Sequence, residues 1–253
     1  MKSAATVVGI IAITLEAGLL FRAWRERFLS QFPLFYSYVT YVLTWSLITF
    51  PIYFLVPRIY PSVYWFFYLM MITAEFAVIA EASDHIFSTY PMIRRLGRLL
   101  TGAICLFLFA VYVIPPLTLN QPSGKALIEL YKRMSLTKAV LIIALLAVAR
   151  LYKLQVGRNV SGLMLGFIAF LAVNIANASL VQSYGWAVYF KAYTLIEPLA
   201  FVLALSIWCV ALWRYEPVLA ARGRFSHNGA AVSDPLADRL GRYDAELSRL
   251  FRR

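Results

Sequence analysis

Apolar positions fill seven long stretches of this chain, and polar positions collect between them. About 20 apolar residues cross a bilayer as a helix, and the stretches at about 4–22, 33–56, 62–89, 97–118, 134–153, 161–183 and 188–213 reach that length. The pattern predicts an all-α membrane protein, a seven-transmembrane-helix bundle. Lys138 and Arg150 interrupt the fifth stretch and, if it spans, must snorkel to opposite interfaces. The first stretch follows Met1-Lys2 and leads into Arg22, Arg25 and Arg27 without a small-residue cleavage site, so it reads as a retained span.

The cations between the stretches assign an orientation. With seven spans, one side carries Lys2, Arg58, Lys125, Lys132, Arg133, Lys138 and Lys191, and the other carries the remaining 17 of the 24 Lys and Arg. Cytoplasmic loops are the Lys/Arg-rich ones, so the N-terminus is expected outside and the C-terminus in the cytoplasm. The sizeable outer loop is 115–135, where Pro115-Pro116 ends the fourth span and a turn at 121–124 precedes a short helical piece from Lys125 to Arg133.

Composition agrees: 62% of residues are hydrophobic and 14% charged, against about a quarter charged in soluble domains. The net charge of +12 therefore points to membrane orientation and not to nucleic acid. Cys105 and Cys209 each fall inside an apolar stretch, where they read as core-filling residues.

Candidate chemistry centres on the third stretch, which carries Glu75, Glu81, Asp84 and His85. An ionisable group in hydrocarbon is expensive and marks a site by default. Glu81 and His85, four apart, share a helix face, while Glu75 lies about 180° from Asp84, so the third helix is expected to be central. Glu16, Asn174, Asn177 and Glu197, the last followed by Pro198, supply polar groups from other spans. Together these eight residues form a candidate ligand or proton network; the alternative is a structural network of carboxylates bonded to Asn, Tyr and backbone groups. Few cations are placed to pair with so many acids.

No cofactor or metal pattern emerges. His227 lies in the tail, away from His85, which excludes bis-histidine haem, and Lys191 sits too near the outer end of its span for a retinal Schiff base. There is no GxSxG elbow and no His-rich zinc pattern, so the chain is not expected to be an enzyme.

The tail splits into a flexible linker, 214–233, and a basic amphipathic helix, 234–253, opened by Asp234-Pro235. Its Arg239, Arg242, Arg249, Arg252 and Arg253 suit anionic lipid, with docking on a protein partner as the alternative. A weak echo relates Arg22-Ala-Trp24-Arg25 to Arg150-Leu-Tyr152-Lys153 and Glu75 to Glu197, which suggests a three-plus-one-plus-three arrangement. Gly162-Leu-Met-Leu-Gly166 is a small-xxx-small face for close helix packing.

With Phe32-Pro33-Leu34-Phe35-Tyr36, Gly157-Arg158-Asn159-Val160-Ser161-Gly162, Ile196-Glu197-Pro198 and the terminal Leu250-Phe251-Arg252-Arg253, the chain resembles a loosely defined group of bacterial seven-helix inner-membrane proteins. It is also similar in plan to the seven-span sensor regions of bacterial histidine kinases, although these 253 residues hold no kinase domain. The resemblance implies a bacterial cytoplasmic (inner) membrane location and no particular activity. The reading is a sensor or accessory signalling protein with a polar intramembrane cavity around the third helix, acting on a cytoplasmic protein partner. A small proton-coupled solute transporter and a structural subunit of a larger membrane complex are the alternatives.

Overall fold

The computed structural model describes residues 2–55, 60–88, 90–112, 124–152, 154, 156–213 and 241–246. Nearly all of these are helical, the rest turns, bends or short connections, with no strand among them. Among the described residues seven long helices follow in order: α1 (Lys2–Arg25), α2 (Pro33–Leu55), α3 (Tyr60–Ile86), α4 (Pro91–Tyr112), α5 (Gly124–Leu151), α6 (Arg158–Tyr184) and α7 (Trp186–Ala211). A 3-10 turn, Phe28–Ser30, lies between α1 and α2. Three helices, Thr6–Arg25, Glu129–Leu151 and Arg158–Tyr184, are long and apolar enough to cross a membrane over their described residues.

Local sequence explains the breaks. Pro33, which lacks an N–H, opens α2 where a helix needs none. α6 and α7 are separated by Gly185 alone, whose φ of 82° a side chain would resist. Pro198 sits inside α7 without ending it; the neighbouring helices hold that segment in place.

Cross-helix bonds fix the directions of the helices. Glu81, near the end of α3, meets the start of α2; Asn159, at the start of α6, meets Ala211 at the end of α7. Arg22, in the last turn of α1, also meets Trp213, just past the end of α7. The odd-numbered helices thus run one way and the even-numbered ones the other. Residues 241–246 lie at the end of the bundle where α1 finishes and α4 begins, because Asp244 bonds Met92 and Ile93; we call this the tail end.

Six helices close a ring in the order α1, α2, α3, α5, α6, α7 and back to α1, with α4 outside it, packed on α3. α3 touches α2, α4, α5 and α6, which is the hub position expected for it, although it is not enclosed by all six companions. The ring divides into two halves, α1-α2-α3 and α5-α6-α7. Contacts within one half have counterparts in the other, and the seams α1/α7 and α3/α5 are counterparts too.

The tightest packing lies between α6 and α7. A Cβ on Gly162 would overlap Ala211, and one on Gly166 would overlap the Trp208 indole, so the small-xxx-small face works within the bundle as expected. Trp208 is fully buried and donates from Nε1 to the Leu163 carbonyl at 3.0 Å. Around it stand Phe35, Tyr38 and Phe167, with ring centroids 5.2, 6.2 and 4.9 Å away, a geometry that adds to plain area burial. The outer surface is the reverse of a soluble protein's: Ile10, Leu106 and Leu203 stand exposed, Leu106 at 72%.

One boundary differs from expectation. The short piece Lys125 to Arg133 is not a separate loop helix but the start of α5, which runs unbroken from Gly124. It continues because Glu129 and Arg133, four apart, pair on its surface and Lys132 reaches Gln182 of α6. The linker 214–233 and most of the tail helix, including Arg239, Arg249, Arg252 and Arg253, lie outside the described residues.

Candidate functional site

The eight candidate residues separate into distinct environments. At the tail end, the Glu81 carboxylate accepts from the backbone N–H groups of Leu34 at 2.9 Å and Phe35 at 2.8 Å. These are orphan donors of the first turn of α2, and a carboxylate there also suits the positive end of that helix. His85, one turn further along the same face of α3, donates from Nε2 to the Gln31 carbonyl at 2.9 Å and stacks 4.5 Å from the Phe32 ring. Asp84 turns instead to α4 and pairs with Arg98 at 2.7 Å. Glu81, Asp84 and His85 thus fasten α3 to its neighbours; each is occupied by a structural partner.

Glu197 accepts from the Tyr131 hydroxyl at 3.1 Å, linking α7 to α5. Tyr131 in turn stacks on Tyr68 of α3, centroids 5.8 Å apart. This polar contact belongs to the far half of the bundle.

The middle is different. Lys138 does not snorkel: it is 4% exposed and its Nζ is bonded to the Glu75 carboxylate. The reason is register. Tyr68 and Tyr131 face each other across α3 and α5, and one further step of seven residues on each helix brings Glu75 opposite Lys138. The expectation that few cations are placed to pair with the acids fails here and at Asp84, because Lys138 is buried rather than interfacial and Arg98 reaches Asp84 across from α4. A buried pair of this kind survives only with good geometry, since desolvating two ions costs several kcal/mol.

Close to this pair lies Tyr38 of α2, 1% exposed and within electrostatic reach of both Glu75 and Glu16. Glu16 is 1% exposed on α1, and neither of its carboxyl oxygens has a hydrogen-bond partner among the described residues. The side-chain oxygens of Asn174 and Asn177 on α6 are likewise buried and unpartnered. At 1.5 Å per residue from the tail-end terminus of each helix, Glu16 stands about 14 Å deep, Glu75 about 17 Å, Lys138 about 20 Å and Asn174 about 24 Å. These residues come from four helices of both halves and occupy the central depth of the bundle.

Sequence reasoning places Lys138 at an interface, reads Tyr38 only as general hydrogen-bonding capacity of the second span, and does not single out Asp244. Lys138 reads as interfacial when the fifth span is placed from 134, whereas α5 starts at Gly124 and carries Lys138 fourteen residues inside the helix. For Asp244 there was no sequence signal: it accepts from Met92 N–H at 2.8 Å and Ile93 N–H at 3.0 Å, a long-range contact that caps α4. Arg242 is exposed beside it, and the lipid or partner role of the other four arginines falls on residues not described.

No family model matches the chain, and no curated protein or solved structure matches it significantly.

Proposed function

We propose that this chain is a seven-span protein of the bacterial cytoplasmic membrane, N-terminus outside, whose most fitting activity is small proton-coupled solute transport. One observation carries the reading: the Glu75–Lys138 pair sits at central depth on the α3/α5 seam between two three-helix halves. Parallel-repeat transporters place substrate and coupling-ion sites near the midplane at the repeat interface. Glu16, buried on the opposite half-seam helix α1 with no hydrogen-bond partner among the described residues, adds a second ionisable group at comparable depth. α4, packed outside the ring, takes the place of the linker helix in a three-plus-one-plus-three plan. The exposed apolar belt and the three spanning-length apolar helices support membrane insertion.

The test is flux in proteoliposomes loaded with a pH-sensitive dye and challenged with panels of amino acids, sugars and organic acids. Solute-dependent proton movement is expected in the wild type and is lost in Glu75→Gln and Glu16→Gln. Flux that is absent for every solute, or unchanged in both variants, overturns the reading.

A sensor or accessory signalling role is the second reading, and the Asp244 contact favours it. That contact ties the tail to α4, which Arg98 ties to Asp84 on the hub helix. Here the discriminating result is cross-linking: a cytoplasmic protein lost on deletion of 234–253 supports signalling, and an unchanged cross-linking pattern opposes it.

A further inference from the structure

The interior of the ring is short of one positive charge. At central depth it holds two carboxyls, Glu75 and Glu16, and one ammonium, Lys138, which is already bonded to Glu75. Tyr38 lies within electrostatic reach of both acids, so the two belong to one interior. Burial alone acts on the Glu16 carboxyl, and no charged side chain among the described residues does.

The elements packed on α1 explain the shortage. α2 carries no Lys, Arg, His, Asp or Glu along its whole length, and the 3-10 turn Phe28–Ser30 carries none either. On α7 the sole cation, Lys191, stands about 30 Å from the tail end, against about 14 Å for Glu16; Glu197 there is a further acid. Arg22 of α1 itself is turned to Trp213, whose carbonyl it bonds and whose ring it covers at 4.1 Å. A carboxyl so placed is neutralised by its own proton or by a cation that enters. One charge is missing, so the two exclude each other.

The unpartnered atoms at this depth indicate which cation fits. Besides both Glu16 oxygens they are the side-chain oxygens of Asn174 and Asn177, three apart on one face of α6. All of them accept hydrogen bonds, so a ligand rich in N–H donors satisfies them and a carboxylate does not. Among the described residues no group of three or more His, Cys, Asp and Glu could hold a metal ion. Tyr38 stands instead beside Phe167 and Trp208, ring centroids 5.7 and 6.2 Å away, and aromatic faces attract organic cations.

We propose that Glu16 binds the ammonium group of a small, singly positive solute in exchange for its own proton, which makes the transport an antiport of protons against a cationic amine or amino acid. The exchange across the membrane rests on the transport reading, whereas binding and proton release at Glu16 stand without it.

Isothermal calorimetry of the purified full chain in detergent tests the site with benzylamine, using benzoate and benzyl alcohol as its anionic and neutral counterparts. Benzylamine alone is expected to bind, and more tightly as pH rises, because protons compete for the same carboxylate. Binding should release about one proton per molecule, read from the dependence of the heat on the ionisation enthalpy of the buffer. Glu16→Gln is expected to weaken binding about thirtyfold or more, as loss of one partner of a buried charge pair does. Glu16→Asp, which keeps the charge, is expected to keep the proton release. Absence of benzylamine binding, equal binding of benzoate or benzyl alcohol, binding without proton release, or undiminished binding in Glu16→Gln overturns the site. In proteoliposomes lysine and arginine are expected to drive protons in the opposite direction to themselves. Protons that move with the solute, or only with sugars or organic acids, overturn the exchange and leave the transport reading standing. No flux, with benzylamine binding and proton release intact, overturns the transport reading and leaves the site.

Discussion

Lys138 of α5 and Glu75 of α3 form an ion pair with almost no exposure, 5% and 2% for the two side chains. Removing one partner strands the other charge in the bundle, whereas removing both leaves two polar or apolar groups of similar size. Lys138→Met is therefore expected to destabilise the protein by about 3 to 5 kcal/mol. The double variant Lys138→Met with Glu75→Gln should lose clearly less. Denaturant unfolding in mixed micelles measures both, and a double variant worse than either single one would refute the coupling.

Glu81 of α3 satisfies two first-turn backbone donors that no carbonyl within α2 can reach. Glu81→Ala is expected to cost about 1 to 3 kcal/mol, the usual penalty for leaving buried donors unmet. Amide hydrogen exchange should localise the effect, with Leu34 and Phe35 losing protection while the α5 amides keep theirs.

Gly166 faces the Trp208 indole with no room for a methyl group. Gly166→Ala is expected to destabilise by about 1 to 3 kcal/mol through overpacking. Combining it with Trp208→Phe, which shortens the ring, should recover part of the loss. Thermal midpoints of the three variants decide the matter, and additive losses would place the strain elsewhere.

Asp244 caps the first turn of α4. Asp244→Ala is expected to speed exchange at the Met92 and Ile93 amides by about tenfold, the equivalent of some 1.4 kcal/mol. No change at those two amides would show that the tail contact contributes nothing to α4.

Helix positions were legible in the sequence, because apolar length and the Pro and Gly breaks are local signals. Pro33, Gly157 and Gly185 mark helix boundaries, and the Gly162/Gly166 face was readable from spacing alone. The hub role of α3 was also readable, since its ionisable groups point in several directions. Pairing was not. Which helix faces Glu75 depends on ring order and register, both set by long-range packing, so Lys138 looked like an interfacial cation. Likewise Glu81 and His85 read as part of a cavity, because a carboxylate that caps a distant helix looks in sequence like one awaiting a ligand.

Tyr68 meets Tyr131, and Glu75 meets Lys138, in the same α3/α5 seam. Two clasps set seven residues apart on each helix cannot be undone one at a time by sliding. If the halves separate, they must do so by swinging on the α1/α7 side, where Arg22 both bonds the Trp213 carbonyl and lies 4.1 Å over its ring. Such a hinge would part the tyrosines and the charges in a single stroke, leaving the bundle shut or open with little in between.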